Sequence, residues 1–173
     1  RAWFSPEEYK MLYEATRERA KNPPKPRWRE VCETFHDYVL FMALECAHAG
    51  QPWWTWGDAL RRRDPRALAD ARAVHRREME FWSFVQWNFD QQCAALKAYA
   101  NQRGVSLMGD LPIFIAHHSA DCWARPDLYF LDDESQPSVV AGVPPDIFSV
   151  DGQRWGNPLY RWDRMAQEKF AWW

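Results

Sequence analysis

Apolar positions along the first hundred residues recur at helical spacing. Ser5-Pro6-Glu7-Glu8 places a capping Ser, a first-turn Pro and a capping-box Glu ahead of a helix running to about Lys21. Asn22-Pro23-Pro24 stops it, and the chain to Pro26 reads as a stiff linker. From Arg27, Val31, Phe35, Tyr38 and Met42 keep to one helical face, predicting a helix over 27–48 with Gly50 as its end signal. Asp64-Pro65 opens a third segment, free of Gly and Pro as far as Arg103. Its stripe of Trp82, Val85, Phe89, Cys93, Leu96 and Ala100 predicts one buried helix face over 65–103. At Gly104 the period changes. Residues 105–109 read as a buried parallel strand, because a long helix, a Gly and an apolar run make half of an α/β unit. A short helix capped by Ser119 follows, then a strand pair around Tyr129–Leu131 and Ser138–Ala141, then irregular Pro- and Gly-rich chain.

Composition changes this picture in one respect. Of 173 residues, 12 are Trp, 10 Phe and 6 Tyr. Most belong in a core, but Trp53, Trp54 and Trp155 sit beside Pro or Gly in loops, where a flat face is free to meet a sugar ring. The formal net charge of -2 provides no field for nucleic acid or an anionic membrane. Arg61-Arg62-Arg63, Arg72, Arg76 and Arg77 are interleaved with Asp58, Asp64, Asp70, Glu78 and Glu80, the pattern of a solvated helix face. Cys32, Cys46, Cys93 and Cys122 have neither CxxC pairing nor metal-type spacing, and no signal peptide or spanning apolar run is present. A cytoplasmic protein with reduced thiols is the expectation. Arg1 opens the chain and Trp172-Trp173 closes it, so both ends are expected to be cut.

Candidate chemistry gathers in three places. Asp110 ends the apolar run 105–109, where ligands meet strands in α/β barrels; a turn or cap is its plainer role. His117 and His118 precede Ser119-Ala-Asp-Cys-Trp123, but neighbouring side chains point apart and no HExxH pattern is present, so no metal is expected. The densest segment is 142–158. Pro144 and Pro145 stiffen its entry, Asp146, Gln153 and Asn157 offer planar hydrogen-bonding groups, and Phe148 and Trp155 offer apolar faces. Hydroxyls round the rim and C–H groups on the faces make a carbohydrate the natural ligand.

Gly109-Asp-Leu-Pro-Ile-Phe-Ile-Ala116 with Ser119-Ala-Asp-Cys-Trp123 resembles the GDLPIFVA…SADVW signature of the amylomaltases, the 4-α-glucanotransferases. Val139–Asp146 with Gly152–Trp162 resembles that family's most distinctive loop. Asp37–Leu44, Pro52-Trp-Trp54 and Leu96–Asn101 also fit, so the resemblance spans nearly the whole chain. It implies an α/β fold: part of a TIM (β/α)8-type barrel with a mostly helical N-terminal portion, 1–103, and long loop insertions. Residues 104–173 would hold a barrel strand with substrate-binding loops, both parts belonging to one larger catalytic domain. It implies retaining transfer of α-1,4-glucan segments between maltooligosaccharides or starch-like glucans, without a cofactor. The family's nucleophile lies in an RIDH-type motif and its acid/base in an EDLG-type segment; neither occurs here, so no catalytic residue is expected in this chain. By the same resemblance Asp110, Asp146, Phe148, Gln153, Trp155 and Asn157 are substrate-binding. His118 and Ile147 are weaker candidates, standing where relatives often have Asp and Tyr. The alternatives are a stand-alone glucan-binding module and a helical interaction protein acting through residues 1–103. A barrel cut after a few strands is also expected to self-associate through its open edge.

Overall fold

The computed structural model describes Lys10, Glu14, Arg17 and residues 35–173. Those first three residues are helical; the rest of the helix expected over 5–21, the linker, residues 27–34 and Cys32 lie outside the described residues. The chain divides into two compact units, one of residues 1–44 and 70–109, the other of 45–69 and 110–173.

α1 (His36–Ala47), which begins in the first unit, buries Val39, Leu40, Phe41, Ala43 and Leu44, whereas of the face expected from the sequence Phe35 is exposed and Tyr38 and Met42 are only partly buried. The long helix expected over 65–103 divides at His75 (φ -99°, ψ 17°) into α3 (Pro65–Val74) and α4 (Arg76–Asn101). Asp64 caps α3, its Oδ1 accepting from the backbone N–H of Arg66 and Ala67 at 3.0 and 2.9 Å. On α4 the packed residues are Phe81, Phe84 and Ala100, and Arg17 both pairs with Glu78 at 3.1 Å and lies over the Phe81 ring. Of the expected stripe only Ala100 is buried: Trp82 and Val85 are partly buried, and Phe89, Cys93 and Leu96 are exposed. Gly104, with φ +72°, turns the chain out of the helix.

The strand expected over 105–109 does not form. Those residues are irregular and exposed, with Val105, Leu107 and Met108 open to solvent. A parallel strand exists only through its neighbours, and among the described residues none lies alongside.

The second unit carries α2 (Asp58–Arg61), α5 (Ala120–Ala124), α6 (Trp162–Gln167) and one antiparallel pair, β1 (Val140–Val143) with β2 (Gln153–Pro158). Ser119 caps α5 as expected, its Oγ accepting from Cys122 N–H at 3.2 Å. The pair expected between 129–131 and 138–141 shrinks to a Leu131–Pro137 bridge closed by Asp132; β1 pairs instead with β2, which the sequence presented as irregular chain. Trp53, Trp56, Trp123, Cys122, Leu128, Tyr129, Tyr160 and Met165 fill this unit's core. Arg125 joins Asp127 and Glu168, tying the turn after α5 to the end of α6.

Candidate functional site

The hairpin of β1 and β2 is where the polar and aromatic candidates converge. Its strands approach so closely that a Cβ on Gly142 would lie 2.5 Å from the Gln153 carbonyl oxygen. Gly152, at φ +74°, would set one 2.6 Å from the Val143 carbonyl oxygen. These two glycines let residues 144–152 close as a tip. Asp146 shapes that tip: its Oδ1 accepts from Phe148 and Ser149 N–H, both at 2.8 Å, and Ser149 Oγ donates to the Gly152 carbonyl at 2.7 Å. The Asp146 carboxylate is therefore partly spent on the turn. In return, Ile147 and Phe148 stand clear of the surface, Phe148 at 87% exposure.

Along β2 the three remaining candidates play different parts. Trp155 is half exposed, at 49%, with its indole N–H on Gln153 Oε1 at 3.0 Å and an edge contact to Phe114 at 6.0 Å. Gln153 thus steers Trp155 through its amide oxygen, and the bond leaves its side-chain N–H groups unused. Asn157, partly buried, donates to the Ile115 carbonyl at 2.8 Å, so its amide pins β2 to residues 113–115. Tyr160 reinforces that attachment by donating to the Pro112 carbonyl at 3.3 Å. Asp110 is exposed on the irregular lead-in, not at a strand end.

The two histidines sit on the same lead-in chain and face the Trp53 loop. Trp53 is fully buried; its indole N–H donates to the His117 carbonyl at 2.7 Å and its backbone N–H to His118 Nδ1 at 3.3 Å. The His117 ring stacks on Trp54, centroids 3.8 Å apart and planes 4° apart, while its Nε2 meets the Ser135 carbonyl at 2.8 Å. Burial holds the His117 imidazole below its ordinary pKa, and the nearby His118 adds to this; the Ser135 carbonyl and Asp132 oppose it. His118 Nε2 lies 3.1 Å from Glu45 Oε1. No local sequence signal announces that partner, 73 residues away.

Among the described residues no group of three or more His, Cys, Asp or Glu could hold a metal ion. Cys122 is buried, its thiol pushed up to about 12 by burial and by Asp121, and is no nucleophile at neutral pH. The hairpin sets exposed aromatic faces beside planar polar groups on a strand pair.

The chain is 48% identical over 161 residues to a 4-alpha-glucanotransferase of Thermus thermophilus, covering 88% of this chain and 32% of the relative. It is 39% identical over 174 residues to that of Aquifex aeolicus, covering 95% and 36%. The amylomaltase from Streptococcus agalactiae, solved in complex with acarbose, superposes with a TM-score of 0.85 at 32% identity, over 97% of this chain and 35% of that one. The chain thus spans about a third of the length of the relatives it matches. The sequence profile of 4-alpha-glucanotransferase matches residues 7–173, so nearly the whole length is accounted for by one family. The chain belongs to the 4-alpha-glucanotransferase family.

Proposed function

We propose that this chain is the glucan-binding part of a retaining 4-α-glucanotransferase acting on maltooligosaccharides, its nucleophile and acid/base being supplied by sequence outside these 173 residues. The observation that carries this reading is the β1–β2 hairpin. It presents Phe148, Ile147 and Trp155 to solvent, flanked by Asp146 and Gln153, on the segment that resembles the family's distinctive loop. An apolar sugar face stacks on such rings, and its rim hydroxyls reach the amide and carboxylate beside them. Asp110, exposed on the lead-in, is assigned to the same ligand by the family resemblance alone, and Asn157 contributes chiefly through the strand it pins. Family membership supports the barrel context, of which the described residues contain one antiparallel pair and no barrel sheet. Free thiols at Cys46, Cys93 and Cys122 support a reducing, cytoplasmic setting. The exposed apolar positions on α4, Phe89 and Leu96 among them, support self-association of the chain by itself. Light scattering on a dilution series checks that; a monomer at every concentration refutes it.

A retaining transfer needs two carboxylates about 5–5.5 Å apart across the bond, and no residue here is assigned to either role. The expected outcome is therefore binding without turnover. Maltoheptaose should perturb the fluorescence of the chain saturably, while maltotriose incubated with it should yield neither glucose nor longer oligomers above a buffer blank. Disproportionation that survives repurification would overturn the division of labour. Failure to bind any maltooligosaccharide would overturn the binding reading.

A further inference from the structure

The geometry assigns His118 a positioning role in place of direct contact with ligand. Both ring nitrogens are already committed within the fold. Nδ1 lies 3.3 Å from the Trp53 backbone N–H, which can only donate, so Nδ1 must be the unprotonated, accepting nitrogen. Nε2 then carries the proton and donates to Glu45 Oε1 at 3.1 Å. The imidazole is thus fixed as one tautomer between an amide donor and a carboxylate acceptor. A carboxylate in its place would still accept from Trp53 but would face Glu45 with like charge.

The position of this clamp gives it a consequence at the hairpin. His118 anchors the chain at residue 118, and the His117 carbonyl takes the buried Trp53 indole N–H one residue earlier. Two residues further back, the Ile115 carbonyl receives Asn157, and Phe114 makes the edge contact with Trp155. Segment 114–118 therefore runs from the Trp53 loop at one end to the underside of β2 at the other. His118 and Glu45 hold the seat on which Trp155 and Asn157 rest, without touching ligand. This rests on the glucan-binding reading only for what Trp155 is positioned to do.

The test uses the full chain and reads Trp155 without ligand. Its indole N–H resonance, assigned through Trp155→Phe, reports both the Gln153 bond and the Phe114 ring. His118→Ala should shift that resonance and weaken maltoheptaose binding about tenfold, the scale of one lost hydrogen bond. His118→Asn, whose amide oxygen stands near the position of Nδ1 and can accept from Trp53, should restore most of both. Imidazole 15N spectra of the native chain should show Nδ1 unprotonated and Nε2 protonated, unchanged by saturating maltoheptaose. A protonated Nδ1, His118 resonances that move with ligand, or a Trp155 resonance untouched in His118→Ala would each overturn the assignment. Should His118→Ala not fold, the tautomer spectrum and the His118→Asn comparison still decide. If maltoheptaose moves no resonance at all, the glucan reading falls, and the ligand-free readouts still test the clamp.

Discussion

Trp53 and Trp155 both stand next to Pro or Gly in the sequence, yet one is fully buried and the other half exposed. The difference lies in where the indole N–H goes. Trp53 donates to the His117 carbonyl, Trp56 to Gln51 and Trp123 to Leu60, so every one of these buried rings satisfies a backbone acceptor within the unit. Trp155 donates instead to the side chain of Gln153, two residues away on the same strand. A large ring enters the core at full gain only when its one polar atom finds a fixed partner there. A ring whose N–H is satisfied on its own strand can stay outside and keep its face for something else.

The largest break in that comparison is expected at Trp123. It is wholly buried, bonded to the Leu60 carbonyl at 3.0 Å, with the Arg63 guanidinium 4.4 Å over its ring. Trp123→Ala should cost about 3–5 kcal/mol of stability, through the lost ring, the cavity and the unpaired carbonyl. Urea unfolding measures it. A loss under 1 kcal/mol would show that burial of these rings does not depend on their packing.

The opposite response is expected at Trp155. Trp155→Ala should leave the melting temperature nearly unchanged and cost roughly 1–3 kcal/mol of maltooligosaccharide affinity, the scale of one large apolar contact. Calorimetric titration and thermal unfolding of the same variant separate the two. Unchanged affinity with a collapsed melting temperature would make Trp155 a core member like Trp123 and remove the distinction.

How much of this was legible in the chain follows the range of the interactions. Caps were readable because they act over two or three residues: Asp64 before α3 and Ser119 before α5 stand where the sequence puts them. The strand expected over 105–109 was not, because an apolar run becomes a strand only beside another, and its local pattern says nothing of that neighbour. The β1–β2 pair was missed for the converse reason. Its glycines looked like loop residues but are what lets the two strands approach. Within the site, the aromatic and planar residues could be picked out by type, but their division of labour could not. Asn157 on Ile115 lies 42 positions from its partner, and His118 on Glu45 lies 73. Type suggested ligand contacts, and distance in sequence concealed the bonds that both make within the fold.

The smallest expected effect concerns the buried side of the comparison, at the His117 ring that covers Trp54. Burial lowers the His117 pKa in the folded chain, so between its ordinary value of 6.5 and the lower folded value the unfolded chain binds more protons. Its contribution is then full above pH 6.5 and is lost as pH falls from there through the folded value; protonation pulls towards unfolding. The effect is small because the ring is only partly buried and the Ser135 carbonyl and Asp132 favour the charged form. In His117→Gln the amide N–H can still reach the Ser135 carbonyl, and the group no longer titrates. Urea midpoints of the two proteins should therefore run closer together at pH 5 than at pH 7.5, the native chain losing stability on acidification that the variant keeps. Parallel midpoints across that range would mean that the Trp54 stack accepts an imidazolium as readily as an imidazole. The His117 face of the aromatic cluster would then be as tolerant as the hairpin's exposed one.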